Sequence, residues 1–186
     1  MTPNPFNKKK EGERIALLGA FCLFLSTVEY LIPKPAPFMR LGIANLPLML
    51  ALDILSFRSF LLLSCIKILG QALITGTLFS YIFIFSLAGT MFSALSMYGA
   101  RKLLKSKRIG FIGLGVLGAL VSNITQLALA SLFIFGRSAR YIAPPFLVMG
   151  LVSGAVMGFF CEYFTRRSLW YAGEIKAREG TEKGKG

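Results

Sequence analysis

Histidine is absent from the 186-residue sequence, and aspartate occurs once, at Asp53. Without histidine, the chain lacks the commonest general base and a frequent metal ligand. A single aspartate cannot form the aspartate-rich motif that would hold a magnesium–diphosphate substrate. Only three cysteines are present, each inside a different apolar run, so we expect neither a disulfide framework nor a metal cluster. These absences argue against an autonomous enzyme and against a resident cofactor.

Recognisable catalytic and nucleotide-binding motifs are also missing from the sequence. It has no phosphate-binding loop of the Walker A kind, so the chain cannot power transport with an ATP site of its own. It has no GxSxG, HExxH or CxxC motif either. Any ATP hydrolysis that drives transport would therefore come from partner subunits.

Charged residues are scarce, at 16% of the chain, whereas 55% of the residues are hydrophobic and the mean hydropathy is +0.66. Soluble domains carry roughly 25% charged residues, so this composition predicts an integral membrane protein. The net charge of +13 comes from basic residues grouped in short segments beside apolar runs. That grouping is a signal of membrane topology, and we expect no nucleic-acid binding.

Six apolar segments predict an all-α integral membrane protein with six transmembrane helices in one domain, residues 15–165. A polar tail, residues 1–14, precedes it, and we expect the first helix to be retained because no small-x-small cleavage site follows. The polar tail 166–186 should be frayed after Trp170. Basic residues concentrate on the side of the two termini, which predicts that both lie in the cytoplasm (N-in, C-in). The segments lie at about 15–32, 44–55, 59–79, 82–104, 111–135 and 146–164.

The stretch Tyr30–Asn45 between the first two segments has an unusual composition. Its three prolines restrict φ and remove donors, which predicts a stiff, extended loop. The loop then presents Arg40, Gly42 and Asn45 at the entrance to the next helix. We interpret it as a lid over a small-molecule site on the outer side of the membrane. The alternative is a tight turn whose arginine snorkels to the headgroups.

Strongly polar residues inside the apolar segments gather at a similar depth. At 1.5 Å of rise per residue, Glu29 and Asn123 lie roughly 22 Å from the inner boundary, and Gln126 lies roughly 27 Å from it. Lys67 lies near mid-membrane, where a charge costs at least ~2.5–3.5 kcal/mol, so it should face the bundle interior and have a partner. Gln71 is one turn further out. Convergence from three helices predicts a binding site.

Purely structural roles remain open for the same residues. Lys67 and Glu29 could form an interhelical ion pair, and Asn123 and Gln126 could join neighbouring helices. Asp53 and Glu162 lie near the inner interface, with Arg58 and Arg166 in reach, which predicts a structural role for both. Glycines at 150, 154 and 158 predict a groove for a neighbouring helix.

Four sequence motifs stand out: Arg40-Leu-Gly-Ile-Ala-Asn45, Lys67-Ile-Leu-Gly70, Phe85-Ser-Leu-Ala-Gly89 and Gly118-Ala-Leu-Val-Ser-Asn-Ile-Thr-Gln126. Together they resemble the Gx transporter family, which is also labelled heptaprenyl diphosphate synthase component I. The resemblance covers roughly residues 14–165. This chain departs from the family pattern at Lys67, where arginine would be expected. The family is similar to substrate-binding (S) components of energy-coupling factor (ECF) transporters.

The resemblance implies a six-helix, S-component-like bundle in the bacterial cytoplasmic membrane, with the first loop gating an outward-facing pocket. It also implies coupling through a small-residue face of the first helix, at Ala16 and Ala20, to a transmembrane subunit with an ATPase pair. The substrate would be a small vitamin-like molecule. The predicted substrate-binding residues are Arg40, Asn45, Lys67, Gln71, Asn123 and Gln126, with Glu29 as a possible cation partner.

Two other functions are compatible with the sequence. The chain could be a non-catalytic membrane subunit associated with prenyl diphosphate or quinone synthesis, or with a flavin or quinone redox assembly. It could also be a self-sufficient secondary transporter, although it shows no internal repeat of the transporter kind.

Overall fold

The computed structural model describes residues 5–32, 42–104 and 109–183. These three ranges fold into seven α-helices and contain no β-strand. A short 3-10 helix, Ile43–Asn45, leads into α2, and α5 continues as a π-helical turn, Ser131–Phe135. The helices are α1 Pro5–Leu31, α2 Leu46–Ile54, α3 Phe57–Ile74, α4 Tyr81–Leu104, α5 Phe111–Ala130, α6 Ala139–Arg167 and α7 Leu169–Lys183.

Five of the described helices are long and apolar enough to cross a membrane, so the chain is a multi-pass membrane protein. They are α1, α3, α4, α5 with its π-helical turn, and α6. The sixth predicted span corresponds to the 3-10 turn and α2, whose 3 and 9 residues extend only roughly 20 Å. Both the count of six spans and the N-in, C-in orientation remain predictions.

The short helix α2 occupies the interior of the bundle. Every residue from Leu46 to Ile54 is buried except Asp53. The 3-10 turn that leads into it contacts Glu29 in the last turn of α1, and Ser56 in the turn that follows it contacts Glu11 near the beginning of α1. We call the end of the bundle near Glu11 the terminal end, and the end near Leu31 the loop end. An apolar helix that is hydrophobic on all sides is stable in such a central position because other helices cover all its faces.

The first helix begins ten residues earlier than predicted, at Pro5 rather than residue 15. The polar segment is held by Glu11, whose Oε1 accepts hydrogen bonds from Ser59 Oγ at 2.8 Å and from the Ser56 amide at 3.3 Å. Proline is also well suited to the first position of a helix. Apolar periodicity could not reveal this extension because the residues concerned are polar.

Two further helix boundaries differ from the sequence prediction. Helix α3 ends at Ile74 rather than residue 79, because Gly76 adopts a left-handed conformation (φ 65°) of the kind that terminates helices. Helix α6 begins at Ala139, so Pro144 and Pro145 lie within its second turn instead of opening it. The prolines leave carbonyls without helical partners only in the exposed first turn, where polar surroundings can satisfy them.

Glycines bring α5 and α6 into backbone contact, as the spacing of residues 150, 154 and 158 predicted. A Cβ at Gly154 would meet Gly115 O at 2.6 Å and Ala119 Cβ at 2.7 Å, and a Cβ at Gly158 would meet Phe111 O at 2.6 Å. Small residues let membrane helices approach closely, which increases dispersion contacts between them. The α5–α6 pair is therefore a rigid wall of the bundle.

A polar network at the terminal end joins four elements. Arg101 on α4 binds Asp53 on α2 through two bonds, Nε to Oδ1 at 2.8 Å and Nη2 to Oδ2 at 2.5 Å. Its third nitrogen donates to Ile109 O at 2.7 Å, and its guanidinium lies 4.8 Å from the centre of the Phe111 ring. The structural role predicted for Asp53 is confirmed. The arginine bound to it is Arg101, 48 residues further along the chain, rather than the nearby Arg58 that the sequence placed in reach.

Helix α7 replaces the frayed tail that the polar sequence predicted. It packs through Tyr171, which is buried and donates a hydrogen bond to Asp53 Oδ2 at 2.9 Å, and through an ion pair between Arg14 and Glu174. Burial first, and then the Asp53 carboxylate, raise the pKa of Tyr171 above its ordinary value. The neutral, donating phenol is thus favoured in the docked helix, and docking should weaken only as the pH rises above about 10, the ordinary tyrosine value.

We expect Tyr171→Phe to loosen α7 without disturbing the membrane helices. The substitution removes one hydrogen bond to a charged acceptor, worth about 1.5–3 kcal/mol, and so raises the undocked population at least about tenfold. Tryptic cleavage at the exposed Lys176 should accelerate accordingly. Tyr163→Phe, at a half-exposed tyrosine on α6, should leave the cleavage rate unchanged. Equal rates in both variants would show that the phenol does not hold the helix.

Candidate functional site

A cavity inside the bundle is lined by residues from all six helices α1 to α6. Five of the polar residues singled out in the sequence are nine-tenths buried or more and line this cavity, and Asn45 joins them. The five are Glu29, Lys67, Gln71, Asn123 and Gln126. Helices α4 and α5 present their polar residues toward the loop end and Met97 or Gly115 toward the terminal end.

Lys67 occupies the interior position predicted for it. Its side chain is 2% exposed, and Nζ lies 3.4 Å from Thr90 Oγ1 on α4. Residues 64, 67 and 71 are all buried, so one face of α3 carries a serine, the lysine and a glutamine into the bundle. The cavity thereby contains an ammonium group, which can bind carboxylate, phosphate or carbonyl oxygens.

Glu29 is bound by backbone amides at the start of the 3-10 turn. Its Oε1 accepts from the Gly42 amide at 3.3 Å, and its Oε2 accepts from the Ala44 amide at 3.2 Å. Gly42 has φ 79° and ψ 13°, a left-handed conformation that a side chain would strain. Left-handed and helical residues in succession direct their amides to one side and form an anion-binding nest, and the helix dipole of α2 adds to its field.

Asn123 connects α5 to the backbone of α6. Its Nδ2 donates to Phe146 O at 3.1 Å, and Gly150 leaves the space that the amide occupies. The structural alternative considered for Asn123, a contact between helices, is therefore present. Because the same side chain lines the cavity, this contact also fixes the orientation of the amide there.

Gln126 fits against a glycine of the neighbouring helix. Its Nε2 donates to Ser122 Oγ at 3.0 Å, within α5. A Cβ at Gly89 on α4 would meet that Nε2 at 2.8 Å and Ser122 Oγ at 3.1 Å. The glycine in the Phe85–Gly89 motif thus makes room for the polar residues of the Gly118–Gln126 motif.

Two buried polar atoms at the cavity lack partners in the described part of the chain. Gln71 Oε1 and Ser93 Oγ form no hydrogen bond there, although their side chains are 3% and 2% exposed. Leaving a buried polar group unpaired costs about 1–3 kcal/mol. A bound molecule or bound water that supplied hydrogen bonds at these atoms would remove that cost.

The cavity is small in this conformation. It offers about 40 Å³ to the centres of water molecules, which is room for roughly three of them. A larger ligand would require outward movement of lining side chains. Three methionines line the cavity, at positions 49, 97 and 157, and their flexible thioethers are suited to such rearrangement.

Sequence inspection missed the weakly polar residues of this lining. Thr90, Ser93, Ser122 and Ser153 all contribute to it. On α4 the sequence does carry a signal for this lining, because polar and small residues recur at helical spacing. The structure shows that all of them are buried. Serine and threonine are common in membrane helices as interhelical contacts, so their spacing alone did not separate cavity from packing. The α4 residues of this face are Ser86, Gly89, Thr90, Ser93 and Met97.

The remaining predicted residues lie elsewhere or outside the described ranges. Arg40 falls in residues 33–41, which are not among those ranges. Ala16 and Ala20 are exposed on the outer face of α1, away from the cavity. Glu162 pairs with Arg166, the arginine that the sequence placed in reach, at 2.7 Å.

Comparison with known proteins gives one match. A family model described as heptaprenyl diphosphate synthase component I matches residues 18–164, which include every residue of the cavity lining. No curated protein and no solved structure matches the chain significantly.

Proposed function

The chain belongs to the heptaprenyl diphosphate synthase component I family of membrane proteins, and from this premise we propose that it is the substrate-binding subunit of an ECF-type uptake transporter. It binds a small vitamin-like molecule within the bundle and carries out no catalysis of its own. Partner subunits, a transmembrane coupling protein and an ATPase pair, supply ATP hydrolysis. The membrane is the bacterial cytoplasmic membrane.

The observation that carries this proposal is the polar cavity lined by six helices. Buried polar groups in membrane helices are costly and usually functional, and here a lysine, three amides and several hydroxyls surround one space. The unpartnered Gln71 Oε1 and Ser93 Oγ provide hydrogen-bonding positions that the described residues do not use themselves. Packing alone would favour complete pairing of these groups.

The outer face of α1 supports coupling to a partner. Ala16 and Ala20 are exposed one turn apart, beside Leu17, which is 55% exposed. One turn before Ala16, a methyl group added at Gly12 would meet no atom of the described ranges within 4 Å. Such a small-residue face allows a second helix to approach closely. The description of the family as a component also agrees with assembly into a larger complex.

The description of the family favours one alternative. Under it, the chain would be a non-catalytic membrane subunit associated with prenyl diphosphate synthesis, and hence with quinone synthesis. Even under this alternative, Asp53, the sole aspartate, cannot serve a magnesium–diphosphate site, because it binds Arg101 and Tyr171 at the terminal end.

Affinity purification of the tagged chain from its native membrane tests the proposal. We expect an ABC-type ATPase pair and a shared membrane subunit to be recovered with it. Recovery of redox or prenyl-transfer enzymes in their place would establish the alternative and overturn the transport assignment.

A double variant provides the matched control for that experiment. Ala16→Leu with Ala20→Leu fills the small-residue face and should abolish recovery of the ATPase pair, while the exposed positions leave folding unchanged. Val152→Leu, on the exposed face of α6, should retain the partners. Undiminished recovery with the double variant would show that the partner binds another surface.

A further inference from the structure

The carboxylate of Glu29 and the backbone around Gly42 form a contact that spans the loop between α1 and α2. Glu29 is 1% exposed, lies in the last turns of α1, and accepts hydrogen bonds from two amides that are 13 and 15 residues further along the chain. The two acceptor atoms are different oxygens of one carboxylate. The contact therefore fixes both the position and the orientation of the turn.

The backbone held in this way is itself part of the cavity wall. Gly42 and Asn45 both line the cavity, and the Asn45 amide donates to Gly42 O at 2.9 Å, which closes the turn. Any displacement of the nest would move Asn45 and the start of α2 together. Glu29 is thus linked to the cavity through the turn it holds, in addition to lining the cavity itself.

We propose that Glu29 is a positioning residue, whose carboxylate in the Gly42–Ala44 nest holds the start of α2 against the cavity and keeps the cavity narrow. Release of the carboxylate from the nest lets this wall move outward and admits molecules larger than water. The inference concerns the regulation of access to the site and rests on the proposed binding function. It differs from a role as cation partner of a ligand, because the groups on which it acts are the protein's own amides.

Glutamine cannot replace the carboxylate in this contact. Its amide has one acceptor oxygen, and its NH₂ group would face a backbone donor, so one of the two hydrogen bonds is lost along with the charge. Aspartate keeps the charge but is shorter by one methylene. Gly42→Ala disturbs the same contact from the other side, because the left-handed backbone at φ 79° disfavours a side chain.

Thiol accessibility measures the opening without any knowledge of the natural ligand. In a cysteine-free background, Ser93→Cys places a reporter in the cavity lining at a hydroxyl that makes no hydrogen bond within the described residues. Ser64→Cys places a second reporter at a position that is 0% exposed and outside the lining. Modification of the purified full chain by methyl methanethiosulfonate is followed by intact-mass spectrometry.

We expect Glu29→Gln to accelerate labelling of Ser93→Cys at least about tenfold and to leave labelling of Ser64→Cys unchanged. Gly42→Ala should reproduce this pattern, and Glu29→Asp should give a smaller acceleration. Glu13→Gln, an exposed glutamate on the same helix, should label like the parent. If Glu29→Gln does not fold, Glu29→Asp and Gly42→Ala carry the test.

Parental labelling rates at Ser93→Cys in the folded Glu29 and Gly42 variants would overturn the positioning role. Equal acceleration at both reporters would also overturn it, because it would indicate general loosening of the bundle. Neither result depends on whether ATPase subunits are recovered with the chain. The positioning role and the proposed transport function can therefore fail separately.

Discussion

Lys67→Ala should eliminate retention of the proposed small-molecule substrate during purification, while the protein still inserts and folds. Lys67 supplies an ammonium group to the cavity from a side chain that is 2% exposed. Hydrogen bonds to charged groups are worth about 1.5–3 kcal/mol, so affinity for a ligand that contacts the ammonium should fall roughly 10- to 100-fold. Mass spectrometry of the molecules released on denaturation measures retention.

A comparison of two variants separates the charge from the volume of this side chain. Lys67→Met fills nearly the same space without a charge and should lose the retained molecule as Lys67→Ala does. Lys102→Ala removes an exposed lysine from the last turn of α4 and should retain it. Retention by Lys67→Met would reduce Lys67 to a packing role, and the remaining polar residues would have to account for binding.

The strongly polar residues could be assigned to the interior from sequence because their burial in an apolar span has few solutions. A lysine or an amide near mid-membrane must face other protein groups, and the structure brings Lys67, Gln71, Asn123 and Gln126 to one cavity. Their predicted depth rests on the fixed rise of the helix. Their ligand could not be predicted, because the shape of the cavity depends on helix rotations that a uniformly apolar sequence leaves undetermined.

Other features depended on contacts between distant residues. The pair of Asp53 and Arg101 spans 48 positions, and the nearer Arg58 offered an equally good charge. Docking of α7 depends on Tyr171 reaching the same aspartate, although the sequence around it is polar enough to suggest fraying. The Glu29 nest depends on the left-handed turn at Gly42. The glycine is visible in the sequence, but the direction of its backbone amide is not predictable from it.

Gly154→Leu should prevent stable assembly of the bundle, and Gly154→Ala should already lower its free energy of unfolding by about 1–3 kcal/mol. The added Cβ would lie 2.6 Å from Gly115 O and 2.7 Å from Ala119 Cβ, so the backbones of α5 and α6 would have to separate. That separation would also widen the cavity, since Gly115, Ala119 and Gly154 line it. Thermal unfolding of purified variants in one detergent measures the loss.

Gly99→Ala is the matched control for this effect. Gly99 lies within α4, and a Cβ there would meet no atom of the described residues within 4 Å. Alanine is favoured over glycine in a helix by roughly 0.5–1 kcal/mol, so this variant should equal or exceed the parent in stability. If Gly154→Ala unfolded at the same temperature as Gly99→Ala, the α5–α6 contact would not be close enough to act as a rigid wall. The shape of the cavity would then depend on side chains alone. Because side chains move more easily than two packed helix backbones, a ligand could widen the cavity at a lower cost.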